Sequence, residues 1–162
     1  MHNLAKDIIE LLKKQGLMLS VAESFTGGGV ANAIVLVDGA SSAFYEGIVC
    51  YHSASKAERL CIDKNLLKQH GAVNAMVAKD MVKGILQLKK ADIAVATTGI
   101  AGSATDSFST PIGKAFIACG NQTDIIVQEF LFEGNREKII QDGVDAALHI
   151  LYTYLLTREG KL

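Results

Sequence analysis

Leu4, Ile8, Leu11 and Leu12 recur on one helical face at the start of the chain, and Gly16 follows where a left-handed residue would close that helix. The apolar run Leu17–Ala22 reads as a buried strand. Val30, Ala31, Ile34 and Val35 then return to helical spacing until Asp38-Gly39 forces a turn. Strand, turn and helix in that order predict a parallel crossover. Phe44–Tyr51 is strand-like, and Ser55-Lys56-Ala57-Glu58 has the form of a capping box, which opens a helix there and puts Lys56 in its first turn. A short helix is expected from about Asp63 to His70 with Gly71 as its stop, and Val77, Met81, Ile85 and Leu88 mark a longer one. Ile93–Ala96 predicts a short strand. Ile112–Cys119 and Ile125–Phe132, separated by a polar turn at residues 120–124, predict an antiparallel hairpin. Gly134-Asn135 opens a last long helix striped by Ile140, Val144, Ala147, Leu148, Leu151 and Leu155. The alternation of strands and helices predicts an α/β layered sandwich with a mixed sheet, whose ligands would sit beyond the carboxyl ends of the strands.

Bulk properties narrow the function. With 162 residues and no compositional break, a single domain over residues 1–162 is expected. A formal charge of −1 and a pI near 6.4 leave no basic footprint for nucleic acid. The first residues are charged where a signal peptide would be apolar, and no run approaches the roughly 20 apolar residues of a membrane span, so a cytoplasmic protein away from the membrane is expected. Cys50, Cys61 and Cys119 form no C-x-x-C pair and read as reduced packing residues. Asp38 and Asp106 are isolated loop carboxylates; no metal and no cofactor is expected.

Candidate chemistry gathers at two glycine-bearing turns. Ala22-Glu23-Ser24-Phe25-Thr26-Gly27-Gly28-Gly29 places a serine hydroxyl at the end of the first strand, where glycines let a ligand approach and helix-opening amides are expected to hold a phosphate or an oxyanion. Thr97-Thr98-Gly99-Ile100-Ala101-Gly102 reads as a second turn facing it, followed by a polar loop, Ser103–Thr110. Serine attacks a carbonyl only when a base takes its proton. Among the histidines only His52 lies near the site, whereas Lys56, disfavoured as an ammonium by the helix dipole and by burial, is the better base, with Tyr51 as proton relay. The plain alternative is a solvated helix lysine beside an edge tyrosine. Ser53-Ala54-Ser55-Lys56 also matches S-x-x-K, but without S-D-N or K-T-G companions Ser53 ranks below Ser24. Arg136, a cation in the first turn of a helix, is a candidate anion contact; the commoner role is an exposed arginine covering apolar surface.

These motifs, in this order, resemble the CinA C-terminal domain family, the nicotinamide-nucleotide amidohydrolases or nicotinamide mononucleotide deamidases. The resemblance runs from about Leu4 to Leu156, through Ala22–Gly28, Gly39-Ala40-Ser41-Ser42, Tyr51 with Lys56, His70–Val73, Thr98–Gly102, Pro111-Ile112-Gly113 and Gly134-Asn135-Arg136. It implies a three-layer α/β/α sandwich with a mixed, mostly parallel central sheet. It also implies hydrolysis of the mononucleotide carboxamide to nicotinic acid mononucleotide and ammonia, in pyridine nucleotide salvage, with Ser24, Lys56 and Tyr51 catalytic. Thr26, Gly27, Gly28, Thr98, Gly99, Gly102 and Arg136 are expected substrate contacts, and a stand-alone form, open to self-association, is expected. The chain departs from the family pattern at Phe25, where cysteine is usual, at Ser53-Ala54, at Ser103-Ala104, at Lys114 and at Asn135. Those departures keep two alternatives open: a nucleotide-binding module without turnover, and an amidase for another small carboxamide.

Overall fold

A computed structural model describes residues 2–102, 107–158 and 160. Helix α1 (His2–Gln15) ends at Gly16, whose φ of 65° is the expected left-handed stop. Strand β1 (Leu19–Glu23) leads through the glycine turn into α2 (Gly29–Val35), and β2 (Phe44–Val49) follows. Three helices come next: α3 (Ser53–Leu60), α4 (Lys64–His70) and α5 (Ala75–Leu86). Strand β3 (Ile93–Gly99) precedes the hairpin of β4 (Lys114–Gly120) and β5 (Ile125–Leu131), and α6 (Arg136–Arg158) closes the fold.

The strands form one sheet in the order β2-β1-β3-β4-β5. β1 pairs in parallel with both β2 and β3, while β3–β4 and β4–β5 are antiparallel. The three parallel strands therefore deliver their carboxyl ends to one rim, the rim that carries Ser24, Tyr51 and Gly99.

Period-2 alternation divides the core. Leu19, Val21, Val95 and Ile117 face α1, α2 and α6, whereas Ala22, Ala94, Ala96 and Ala118 face α5. The small residues on the second face let α5 pack close to the sheet. Helices on both faces give the three-layer α/β/α sandwich.

Local expectations needed three corrections. Helix α3 begins two residues before the capping box, because the His52 ring nitrogen Nδ1 accepts from the Ala54 amide at 3.2 Å and acts as the cap. Thr97, Thr98 and Gly99 extend β3, paired with Ile117, Phe116 and Ala115, and are not part of the turn. Leu88 lies beyond α5 and is half exposed. Ser103, Ala104 and Asp106 lie outside the described residues.

Candidate active site

Ser24 follows β1 directly, and its amide donates to the Thr97 carbonyl at 3.0 Å, so the hydroxyl is fixed to the strand end. Lys56 is the fourth residue of α3 and is almost wholly buried, at 2% exposure. Its Nζ donates to Ser24 Oγ at 2.8 Å and to the Cys50 carbonyl at 2.9 Å. Burial pushes the Lys56 amine down from its ordinary range to about 8, against the opposing influence of the nearby Cys50. Desolvation is thus the principal cause, where sequence reasoning had put the helix dipole first. Ser53, the rival nucleophile of the S-x-x-K pattern, lines the same cleft, but the serine hydroxyl that the amine bonds is that of Ser24.

Two connected lobes, each about 300 Å³, meet at Ser24. One is lined by Phe25, Tyr51, Ala101, Gly102 and Arg136, and the other by Lys56, Leu67, Gly71, Val73, Thr98 and Phe108. Tyr51 lines both, yet its phenol oxygen accepts from Arg136 Nη2 at 2.6 Å, and no bond from it to Ser24 or Lys56 is recorded among the described residues. Gly99 and Gly102 also line the cleft; the Thr98 hydroxyl donates to the Ala72 carbonyl at 2.6 Å. A larger groove of about 640 Å³ lies at the opposite end of the strands, near Leu17, Lys89, Asp92 and Arg158, away from the serine–lysine pair.

Thr26, Gly27 and Gly28, expected as ligand contacts, line neither lobe. The reason is Glu23, which sequence reasoning passed over. Its buried carboxylate accepts from the Thr26 hydroxyl at 2.7 Å and from the amides of Gly28, Val30 and Ala31 at 3.1, 3.0 and 2.8 Å. The opening of α2 is therefore filled by an internal anion, and the Gly27 amide is spent on the Ser24 carbonyl. Gly27 and Gly28 serve the turn, with φ of 62° and 98°. The available signal was a glutamate ending an apolar strand just ahead of a glycine turn and a helix start.

At α6, Asn135 caps the helix, its Oδ1 accepting from the Lys138 amide at 2.9 Å, while Arg136 projects to the cleft. Among the described residues no group of three or more His, Cys, Asp or Glu side chains is placed to hold a metal, and no helix is long and apolar enough to cross a membrane.

Comparison with known proteins places this geometry in context. The family model described as the CinA C-terminal domain matches residues 1–155. A CinA-like protein from Prochlorococcus marinus is 40% identical over 160 residues, 98% of this chain and 38% of its own length. A CinA-like protein from Geobacter sp. is 38% identical over 149 residues, 92% of this chain and 36% of its own. The chain thus spans little more than a third of the curated relatives it matches. Among solved structures, a competence-damaged protein (CinA) superfamily protein from Klebsiella pneumoniae superposes with a TM-score of 0.92 at 30% identity, covering 96% of this chain and 98% of that one. The competence/damage inducible protein CihA from Agrobacterium tumefaciens gives 0.89 at 33%, covering 94% and 93%.

Proposed function

The chain belongs to the CinA C-terminal domain family, and from that premise, joined to the buried Ser24–Lys56 pair, we propose that it is a serine–lysine amidohydrolase that converts nicotinamide mononucleotide to nicotinic acid mononucleotide and ammonia. The observation that carries this reading is the 2.8 Å approach of an amine, lowered to about 8, to a serine oxygen at the junction of two lobes. With the amine neutral, the Ser24 hydroxyl donates its proton to the Nζ lone pair as Oγ attacks the carboxamide carbon. The resulting oxyanion collapses, the proton passes from Nζ to the carboxamide nitrogen, and the C–N bond breaks so that the nitrogen leaves as ammonia. Water then attacks the Ser24 ester with Lys56 again taking a proton, which releases the carboxylate and restores both residues.

The remaining residues divide the substrate. Arg136 offers a cation to a phosphate in one lobe, and Phe108, Leu67 and Val73 offer apolar surface to a ring in the other. The Tyr51 phenol, accepting from Arg136, keeps its own hydrogen to offer to the reacting group. Oxyanion donors are assigned to the amides of Ala101 and Gly102, which follow β3 and line the cleft, because those at the opening of α2 are occupied.

The test is ammonia release from nicotinamide mononucleotide by the wild-type protein and by Ser24→Ala. Release by wild type that the variant loses supports the reading. No release by folded wild type, with calorimetric binding intact, overturns it in favour of a binding module; release only from other carboxamides replaces the substrate.

A further inference from the structure

We propose that Glu23 is a positioning residue whose buried carboxylate sets the Ser24 hydroxyl against the Lys56 amine; this rests on Ser24 and Lys56 acting as nucleophile and base. Glu23 is 1% exposed, and its carboxylate makes no approach to the cleft lobes. Its four donors, three amides and one hydroxyl, all come from the eight residues that follow it. They tie the end of β1 to the opening of α2, with Ser24 at the start of the turn between them.

Two further connections tie that loop to the reacting atoms. The Thr26 hydroxyl, besides donating to Glu23, lies 2.7 Å from Thr97 Oγ1, and the Ser24 amide lies 3.4 Å from the same Thr97 oxygen. On the other side, the Glu23 carbonyl accepts from the Cys50 amide at 2.7 Å, and the Cys50 carbonyl in turn accepts from Lys56 Nζ. One residue therefore holds the turn of the nucleophile through its side chain and the acceptor of the base through its main chain. A simple helix cap would need one or two of these bonds and no link to Thr97 or Cys50. The chemical requirement explains the elaboration: a serine–lysine pair loses effectiveness steeply when its donor–acceptor distance grows by a fraction of an ångström to an ångström.

Glu23→Gln keeps the volume but turns an amide NH₂ toward either the Ala31 amide or the Gly28 and Val30 amides, so donor faces donor. Thr26→Val removes only the hydroxyl bridge, and Thr26→Ser retains it. The experiment measures the rate at which a fluorophosphonate labels Ser24, by intact mass, alongside kcat and KM for nicotinamide mononucleotide and the melting curve of each variant. Expected is a loss of about tenfold or more in labelling rate for Glu23→Gln and Thr26→Val. That loss should occur in protein that remains folded, with kcat falling in proportion and KM unchanged, and Thr26→Ser should recover most of it. Labelling within about twofold of wild type for Thr26→Val, the milder change, overturns the inference, as does a loss matched by the unfolded fraction. A wild-type protein that takes no label at Ser24 overturns the inference together with the nucleophile reading. A wild type that labels but releases no ammonia removes the substrate alone, and the labelling comparison still decides the role of Glu23.

Discussion

Arg136 at the start of α6 donates to the phenol of Tyr51 after β2, 85 positions away in sequence, and so closes one side of the cleft with a single 2.6 Å bond. The same guanidinium lies against Gly102, where any β-carbon would overlap Nη1. Arg136→Leu is expected to lower kcat/KM for nicotinamide mononucleotide by about 10- to 100-fold, the worth of a charge-assisted bond. For nicotinamide riboside, which lacks the phosphate, the loss should be several-fold smaller. Equal losses on both substrates would place the anion elsewhere.

The lowered Lys56 amine sets a pH dependence. In the proposed reaction the neutral amine is the base, so kcat/KM should climb as pH rises and level off above an inflection near 8. At pH 7 only about a tenth of the protein carries the base in its working form. Ser24→Cys, whose thiolate forms on its own, should shift or flatten the profile. A wild-type profile flat between pH 6 and about 9.5 would show that Lys56 is not the titrating group.

The same burial affects stability. An unfolded chain holds the lysine proton up to its ordinary 10.5, the folded chain only up to about 8, so between these values the unfolded state binds more protons and stability rises with pH. Below pH 8 the folded protein bears the full cost of a desolvated ammonium. Relative to Lys56→Met, the wild type should therefore gain on the order of 3 kcal/mol as pH rises through this window. Urea unfolding of both proteins at pH 7.5 and above 10.5 measures the difference, and parallel curves would contradict it.

Gly84 governs how α3, and hence Lys56, seats on α5. A β-carbon there would overlap the Leu60 carbonyl oxygen, a main-chain atom that cannot swing away. Gly84→Ala should cost about 2–4 kcal/mol by equilibrium denaturation despite alanine's better helix propensity. It should also reduce the neutral-pH activity of the folded fraction by moving the amine. Unchanged stability would mean that α3 has another way to sit.

Much of this architecture was legible in the sequence because periodicity reports burial directly. Gly16, Gly71 and the Gly120–Asp124 turn fell where backbone geometry required them, and the stripe of α6 marked its buried face. Ser24 and Lys56 were legible as residue types next to a glycine turn and a helix start. Their approach across 32 positions was not, since it depends on β2 returning beside β1. The start of α3 was misread because a histidine ring performs a task usually given to serine or aspartate. Thr97–Gly99 looked like turn chemistry and became strand because β4 supplies it with partners from a distance. Glu23 escaped notice for a related reason: three of its four donors are main-chain amides, which leave no side-chain signature.

One of the two acceptors that hold the lysine amine is the backbone oxygen of residue 50. No side-chain replacement at that position deletes it. Point mutation can thus remove the proposed nucleophile or base outright, but the anchorage of the amine yields only to a change in the course of the chain after β2. Libraries built to retune the proposed activity would find more leverage in insertions or deletions between Val49 and Ser53 than in saturation of Cys50.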